Sequence, residues 1–224
     1  MIATEGVKSI APFDCYLGIA GLPFKMTVEM MLRLAYWAQN QCSYQDAEDT
    51  VCNIDGIYVN DDTIRLVANH VGNIIFEQDC RRAEEAYALV NSGKMPYTRD
   101  KAGVLYIETD GAALNTRLKD NNNSSWRENK LGVVFSSDNI RFWTDKHGDR
   151  QHKIQRREYT SYIGSVDEFK KHLFSCAIRN GYGLYKETVL LSDGAAWIRN
   201  MREELFPDAQ HILDYYHLCE AVIK

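Results

Sequence analysis

Two Asp-Gly pairs follow apolar runs in this chain of 224 residues. Asp110-Gly111 comes after Val104-Leu105-Tyr106-Ile107 by way of Glu108-Thr109, and Asp193-Gly194 after Val189-Leu190-Leu191 by way of Ser192. If each run is a buried strand, each aspartate ends it, and ligand sites in open α/β sheets gather beyond the carboxyl ends of strands. Two carboxylates a few ångströms apart repel, and they stay ionised only with cations between them. Oxygen donors suit hard Mg²⁺ or Mn²⁺, and no Cys/His cluster in the sequence offers zinc a site. A pair of such ions, about 3.5–4 Å apart, activates a water or sugar hydroxyl and stabilises the leaving oxygen in phosphoryl transfer. The plain alternative is that Asp-Gly is a common turn dipeptide. A third polar group, Asp214 and His217, interrupts the last apolar stretch, ILDYYHLCE (212–220). These two can bond each other, bind substrate or order a metal-bound water; alternatively Asp214 caps a closing helix and His217 faces solvent.

The elements that would position these groups alternate along the second half of the chain. Strands are expected over 103–111, 130–137, 156–164 and 187–194, with a fifth opening at 209. Asp110 is expected to end the first and Asp193 the fourth. Helices are expected over 165–181, with Ser165 as N-cap, Glu168 completing a capping box and Gly181 as the stop, and over 195–206, stopped by Pro207. Three strands followed by alternating helices and strands predict three adjacent antiparallel strands and then parallel ones. That is the ribonuclease H-like order, with the first and fourth strands side by side.

The first half has helical spacing. Val28, Met31, Leu32, Leu34, Ala35 and Ala38 recur near a 3.6 period within 25–41. Ser43 opens a helix over 43–54 that Asp55-Gly56 breaks, and Asn60 opens another over 60–72 that Gly72 ends. A further helix is expected over 77–90. The pair joined through DGIYV has a helix-turn-helix outline, with Thr63, Arg65 and Asn69 toward DNA. Asp61 and Asp62 at the start of the second helix oppose that reading, and plain helical packing remains the alternative. The stretch 91–103, with Gly, Pro and mixed charge, divides a helical region (1–95) from an α/β region (96–224).

Charge is uneven. Residues 1–95 hold seven Lys/Arg against thirteen Asp/Glu, whereas 117–157 hold ten against five, a local basic stripe that can serve as a footprint on phosphates. A solvated surface is the bland reading of the same stripe. The six cysteines have no C-x-x-C or zinc-finger spacing, and read as free, mostly buried thiols in a reducing compartment. The opening MIATEGVKSIAPFD has neither a basic n-region nor an apolar h-region, so no secretory signal is expected, and no apolar run is long enough to predict a membrane span.

GVLYIETDG (103–111), WRENKLGVVF (126–135), YIGSVDEFKKHL (162–173), VLLSDGAAWI (189–198) and FPDAQHILDYYHLCE (206–220), taken in order, resemble the catalytic core of DDE-type insertion-sequence transposases. The nearest branch is the Mutator-like one, which has an Asp-x-x-His element after its second aspartate. Residues 13–72 resemble the helical region that precedes this core. The resemblance implies a ribonuclease H-like mixed five-stranded sheet with helices, preceded by an all-helical N-terminal domain. It implies metal-dependent DNA cleavage and strand transfer at element ends, with two Mg²⁺ or Mn²⁺ ions. Asp110 and Asp193 match the first two catalytic, metal-holding acids, and Asp214 and His217 match the Asp-x-x-His element. Trp126 and Lys130 fall in a W-x-E-x-K-x-G-like stretch, where packing or substrate contact is expected.

Arg127, Lys130, Lys153, Arg156 and Arg157 would track the backbone of double-stranded DNA, from transposon ends and target, with Thr63 and Arg65 as further contacts. A homo-oligomer, without membrane association, is implied in the bacterial cytoplasm at the nucleoid. The family's third acid is a glutamate on a helix well beyond the Asp-x-x-His element. Only seven residues follow His217, so the chain is expected to be truncated before that acid, with Glu220 too early to replace it. Two other readings stay open: an inactive DNA-binding fragment, and a ribonuclease H-like nuclease without strand transfer.

Overall fold

The computed structural model describes residues 12–93, 97–117, 119, 123–215 and 219. By its internal contacts the chain divides into two units, Met1–Gln78 and Asp79–Lys224.

The described part of the first unit is helical: α1 (Pro12–Tyr16), α2 (Val28–Asn40), α3 (Tyr44–Asp55) and the opening turns of α4 (Asp61–Ser92). Local chemistry sets the ends. Thr27 Oγ1 accepts the Met30 N–H at 3.3 Å, and Ser43 Oγ accepts the Asp46 N–H at 3.1 Å, each satisfying an orphan donor of a first turn. Gly56 closes α3 in the left-handed region at φ 66°. The apolar stripe of α2 buries Met31, Leu34 and Ala35 against Ala47 and Val51 of α3, Val59, and Ile64, Val67 and Val71 of α4.

α4 corrects the two-helix expectation, because it runs unbroken through Gly72 for 32 residues. Gly72 is not among the positive-φ glycines. A glycine stops a helix by turning left-handed; inside one it costs only about 1 kcal/mol relative to alanine. From Asp79 onward α4 belongs to the second unit, where Ala86 joins the core and Glu84 pairs with Lys171 at 2.7 Å.

The second unit is α/β with a mixed five-stranded sheet. Its strands are β1 (Lys101–Asn115), β2 (Trp126–Ser136), β5 (Glu158–Ile163), β6 (Tyr185–Ser192) and β7 (Gln210–Leu213), in the order β5-β2-β1-β6-β7. The β1/β2 and β2/β5 pairs are antiparallel, and the β1/β6 and β6/β7 pairs are parallel. Two short strands, β3 (Ile140–Thr144) and β4 (Arg150–Ile154), form a separate hairpin that the sequence pattern had not marked.

Strand alternation sorts this sheet into two faces. Leu105, Ile107, Val134 and Leu190 point to one, under α5 (Val166–Arg179) and α6 (Ala196–Leu205), where Phe169, Leu173, Phe174, Ile198, Met201 and Leu205 complete the core. Each such side chain, fully buried, contributes about 1.5–3 kcal/mol. α5 packs closely over Gly132, where a Cβ would lie 2.5 Å from Leu173 Cδ1, so a larger residue there would force that buried side chain to shift. Ser165 caps α5 by accepting the Glu168 N–H at 3.2 Å.

Three of the six free cysteines, Cys15, Cys42 and Cys52, are exposed and only Cys176 is buried, which corrects the expectation of mostly buried thiols. Exposure follows from their places at the end of α1 and on outward positions of the small helical unit. No helix among the described residues is long and apolar enough to cross a membrane.

Candidate active site

The opposite face of the sheet carries the acids. In a parallel pair, directly opposite residues share a face, and Glu108 lies opposite Leu191 as the last β1/β6 couple. Asp110 stands two residues beyond that couple on β1, and Asp193 two residues beyond it, in the turn that follows β6. Leu191 is opposite Ile212 on β7, and Asp214 follows directly after that strand. Leu131 and Val133 of β2, opposite Asp110 and Glu108, complete it. Asp110, Asp193 and Asp214, with Glu108, line one open cavity of about 570 Å³ with these apolar side chains and Tyr215. The adjacency expected of the first and fourth strands is present, and Asp110 and Asp193 both line this cavity. His217 and Glu220, with the closing helix expected after Asp214, lie outside the described residues.

The two Asp-Gly pairs are built differently. Asp110 does not end its strand: β1 continues to Asn115, paired with β2 as far as Trp126. The polar run ETDG reads as a strand end, but the long antiparallel partner keeps the backbone extended. What ends near Asp110 is the pairing with β6, and the cavity opens where β6 stops and β1 runs on. Gly111 leaves room for Glu128, whose Oε1 would be 2.7 Å from a Cβ there. Asp193-Gly194 is a true turn. Gly194 has φ 84°. Its N–H donates to Ser192 Oγ at 3.2 Å, and the Ala195 N–H donates to Asp193 Oδ1 at 2.9 Å. The next strand is tied to this turn twice: the Asp214 N–H donates to the Ser192 carbonyl at 2.8 Å, and Ser192 Oγ lies 2.8 Å from His211 Nε2. Burial lowers the His211 imidazole below its usual range, with Arg202 and Arg199 acting the same way, so the neutral ring is favoured in this contact.

Glu108 is the residue that sequence reasoning missed. It sits two positions before Asp110, and strand period alone places the two on one face. Burial raises the Glu108 carboxyl above the ordinary glutamate range; Arg157 opposes that shift and the Asp214 charge adds to it.

All-oxygen donors of this kind fit Mg²⁺ or Mn²⁺. Among the described residues, however, no group of three or more His, Cys, Asp or Glu side chains is disposed to hold a metal ion. Mg²⁺ is commonly held by only one or two carboxylates, with waters and substrate phosphates filling the rest of its shell, so two aspartates suffice as a donor set.

The basic residues separate. Lys153, Arg156 and Arg157 are exposed. Lys130 is not: it points to the helix-covered face, is 3% exposed, and donates to Glu128 Oε2 at 2.8 Å and to the Gly164 carbonyl at 2.9 Å. Its expected role as a phosphate contact is corrected to a packing role, since its position on β2 sends it away from solvent. Arg127 is half-buried, with Nε enclosed and without a hydrogen-bond partner. In the first unit, Arg65 is exposed and pairs with Asp62 at 3.1 Å. Thr63 is half-buried, and its N–H is capped by Asn60 Oδ1 at 2.9 Å, while Asn69 is exposed. Compared with known proteins, the chain matches no family model and no curated protein.

Proposed function

We propose that this chain is a ribonuclease H-like DNA transposase core that carries out metal-dependent phosphoryl transfer on double-stranded DNA. The observation that carries the reading is the joint one of topology and acids. Read without the β3/β4 hairpin, the sheet order is third, second, first, fourth, fifth strand, with the first three antiparallel and the rest parallel. On one face of that sheet Asp110, Asp193 and Asp214 converge from three strands or strand ends onto one cavity.

Asp110 and Asp193 would hold the divalent ion, which when bound supplies Lewis-acid activation of the attacking oxygen and neutralises developing phosphate charge. The residues of the chain do the rest. The Gly194 turn orients Asp193, the Ser192–Asp214 backbone bond holds β7 against it, and the exposed Lys153, Arg156 and Arg157 offer cations to the phosphate backbone. The preceding helices would form the family's N-terminal helical domain, and the bacterial nucleoid would be its place of action. Homo-oligomers bringing two DNA ends together accord with this chemistry.

The alternative is a DNA-binding form without catalysis. Mn²⁺ binding followed by electron paramagnetic resonance, together with plasmid nicking in Mg²⁺ or Mn²⁺, separates the two. The active form binds Mn²⁺ and nicks, and Asp193→Asn lowers Mn²⁺ affinity at least tenfold and abolishes nicking while the fold persists. Mn²⁺ affinity unchanged in both Asp110→Asn and Asp193→Asn rejects the metal assignment. Duplex binding without nicking selects the inactive form, and nicks without joined products select a plain nuclease.

A further inference from the structure

The β3/β4 hairpin has no role in forming the acidic cavity, yet its composition is far from neutral. Residues 140–157 hold six basic residues, Arg141, Lys146, Arg150, Lys153, Arg156 and Arg157, against two acids, Asp145 and Asp149. Asp145 is engaged in the turn, where its Oδ1 accepts the His147 and Asp149 N–H groups at 2.9 and 3.0 Å and its Oδ2 accepts from Gln151 Nε2 at 3.0 Å. The strands pair with Arg141 opposite Lys153 and Trp143 opposite Gln151. Opposite residues share a face, so Arg141, Trp143 and Lys153 stand together, and with Gln155 they line an open cavity of about 560 Å³. The other face carries Phe142 and His152, rings 6.2 Å apart, with the Arg150 guanidinium 4.6 Å from the Phe142 ring centroid.

An isolated two-stranded hairpin is marginal in water. This one nonetheless leaves Phe142 53% and Trp143 43% exposed on opposite faces. Large aromatics interleaved with cations are poor for solvent and suited to a polyanion, whose phosphates take the charges and whose sugars and bases cover the rings. The dimensions agree. Each strand of five residues spans about 17 Å, and a two-stranded ribbon fits the major groove, about 12 Å wide. The hairpin's exit also leads to the acids: the connection 155–157 into β5 carries Arg157, whose charge acts on Glu108 in the cavity wall.

We propose that the β3/β4 hairpin is a DNA-gripping arm that lies in the major groove of duplex DNA, with Arg141 and Lys153 on phosphates and Trp143 against the groove wall. It rests on the reading of the chain as a DNA-acting protein, and assigns to this arm the grip that feeds DNA toward the acidic cavity.

The test is fluorescence anisotropy of the full chain with a 30-base-pair duplex DNA over a salt series. Each phosphate contact contributes about 0.9 to the slope of log affinity against log salt. The double variant Arg141→Gln/Lys153→Gln is expected to lower that slope by about 1.8 and to weaken binding roughly 30-fold near 0.15 M salt. The charge-conserving Arg141→Lys/Lys153→Arg is expected to keep the slope, and Trp143→Ala to weaken binding with the slope unchanged. Because all three side chains are exposed, circular dichroism should show the same fold throughout. Duplex binding with equal slope and affinity in the Gln variant overturns the arm and leaves the general reading standing. No duplex binding by the unaltered chain overturns both. Tighter binding of double-stranded RNA, or of anionic lipid vesicles, than of DNA overturns the assignment to DNA.

Discussion

Replacing Gly194 by alanine tests whether one turn positions the second acid. Gly194 has φ 84°, a region that costs an L-residue about 1–2 kcal/mol. A Cβ there would also lie 2.8 Å from Leu213 Cδ2. Leu213 is half exposed and that methyl is the far end of its side chain, so it can swing aside and the backbone term sets the scale. A loss of about 1–2 kcal/mol in a chain of this size lowers Tm by roughly 2–8 °C.

The same strain acts on function. If the backbone escapes to negative φ, the Gly194 N–H leaves Ser192 Oγ and the Ala195 N–H leaves Asp193 Oδ1, now at 3.2 and 2.9 Å, and Asp193 turns away from the cavity. Mn²⁺ affinity should then fall although no carboxylate has been removed. Asparagine visits the left-handed region more readily than alanine does, so Gly194→Asn should lose clearly less of both quantities. Thermal unfolding by circular dichroism and Mn²⁺ titration are the assays. Alanine and asparagine variants within about 1 °C of the original would refute the strain argument. A destabilised alanine variant with undiminished Mn²⁺ binding would refute the claim that the turn aims Asp193.

Two further outcomes are expected. Glu108→Gln should raise Tm at pH 8 and have little effect near pH 3.5. The folded carboxyl titrates above its unfolded value, so the stability that protonated Glu108 contributes is complete below that unfolded value, about 4.3, and is lost as pH rises through the folded one. Glutamine stays neutral throughout, and saturating Mg²⁺ should narrow the gap at pH 8. A lower Tm for Glu108→Gln at pH 8 would mean that the attraction of Arg157 outweighs the cost of burying the carboxylate. Lys130→Met should cost about 1–3 kcal/mol in urea unfolding, because the Glu128 carboxylate and the Gly164 carbonyl lose their shared donor, yet leave the salt slope of DNA binding unchanged. A reduced slope would return Lys130 to the phosphate contacts.

Local chemistry was legible in the residues wherever one or two neighbours decide the outcome. Ser43 and Ser165 could be read as caps because a hydroxyl at that position satisfies a first-turn N–H within three residues. The alternation of helices and strands after residue 165 carried the parallel half of the sheet. Gly72 misled because a glycine's effect depends on whether the chain around it continues, and here α4 does. Asp110-Gly111 misled for a similar reason: its extended conformation comes from the long pairing with β2, a partner remote in sequence. The β3/β4 hairpin escaped notice because both its faces are exposed, which leaves no apolar alternation to read.

By itself, then, the sequence determined the kinds of element, several of their ends, and the presence of acids beside apolar runs. These follow from hydrogen bonds and periodicities spanning a few residues. Only the tertiary structure decided that Glu108, Asp110, Asp193 and Asp214 share one cavity, that Lys130 is buried away from it, and that the basic hairpin stands apart from the main sheet. Register between strands eighty residues apart is set by the packing of whole faces, a sum over many distant contacts that no short stretch of the chain contains.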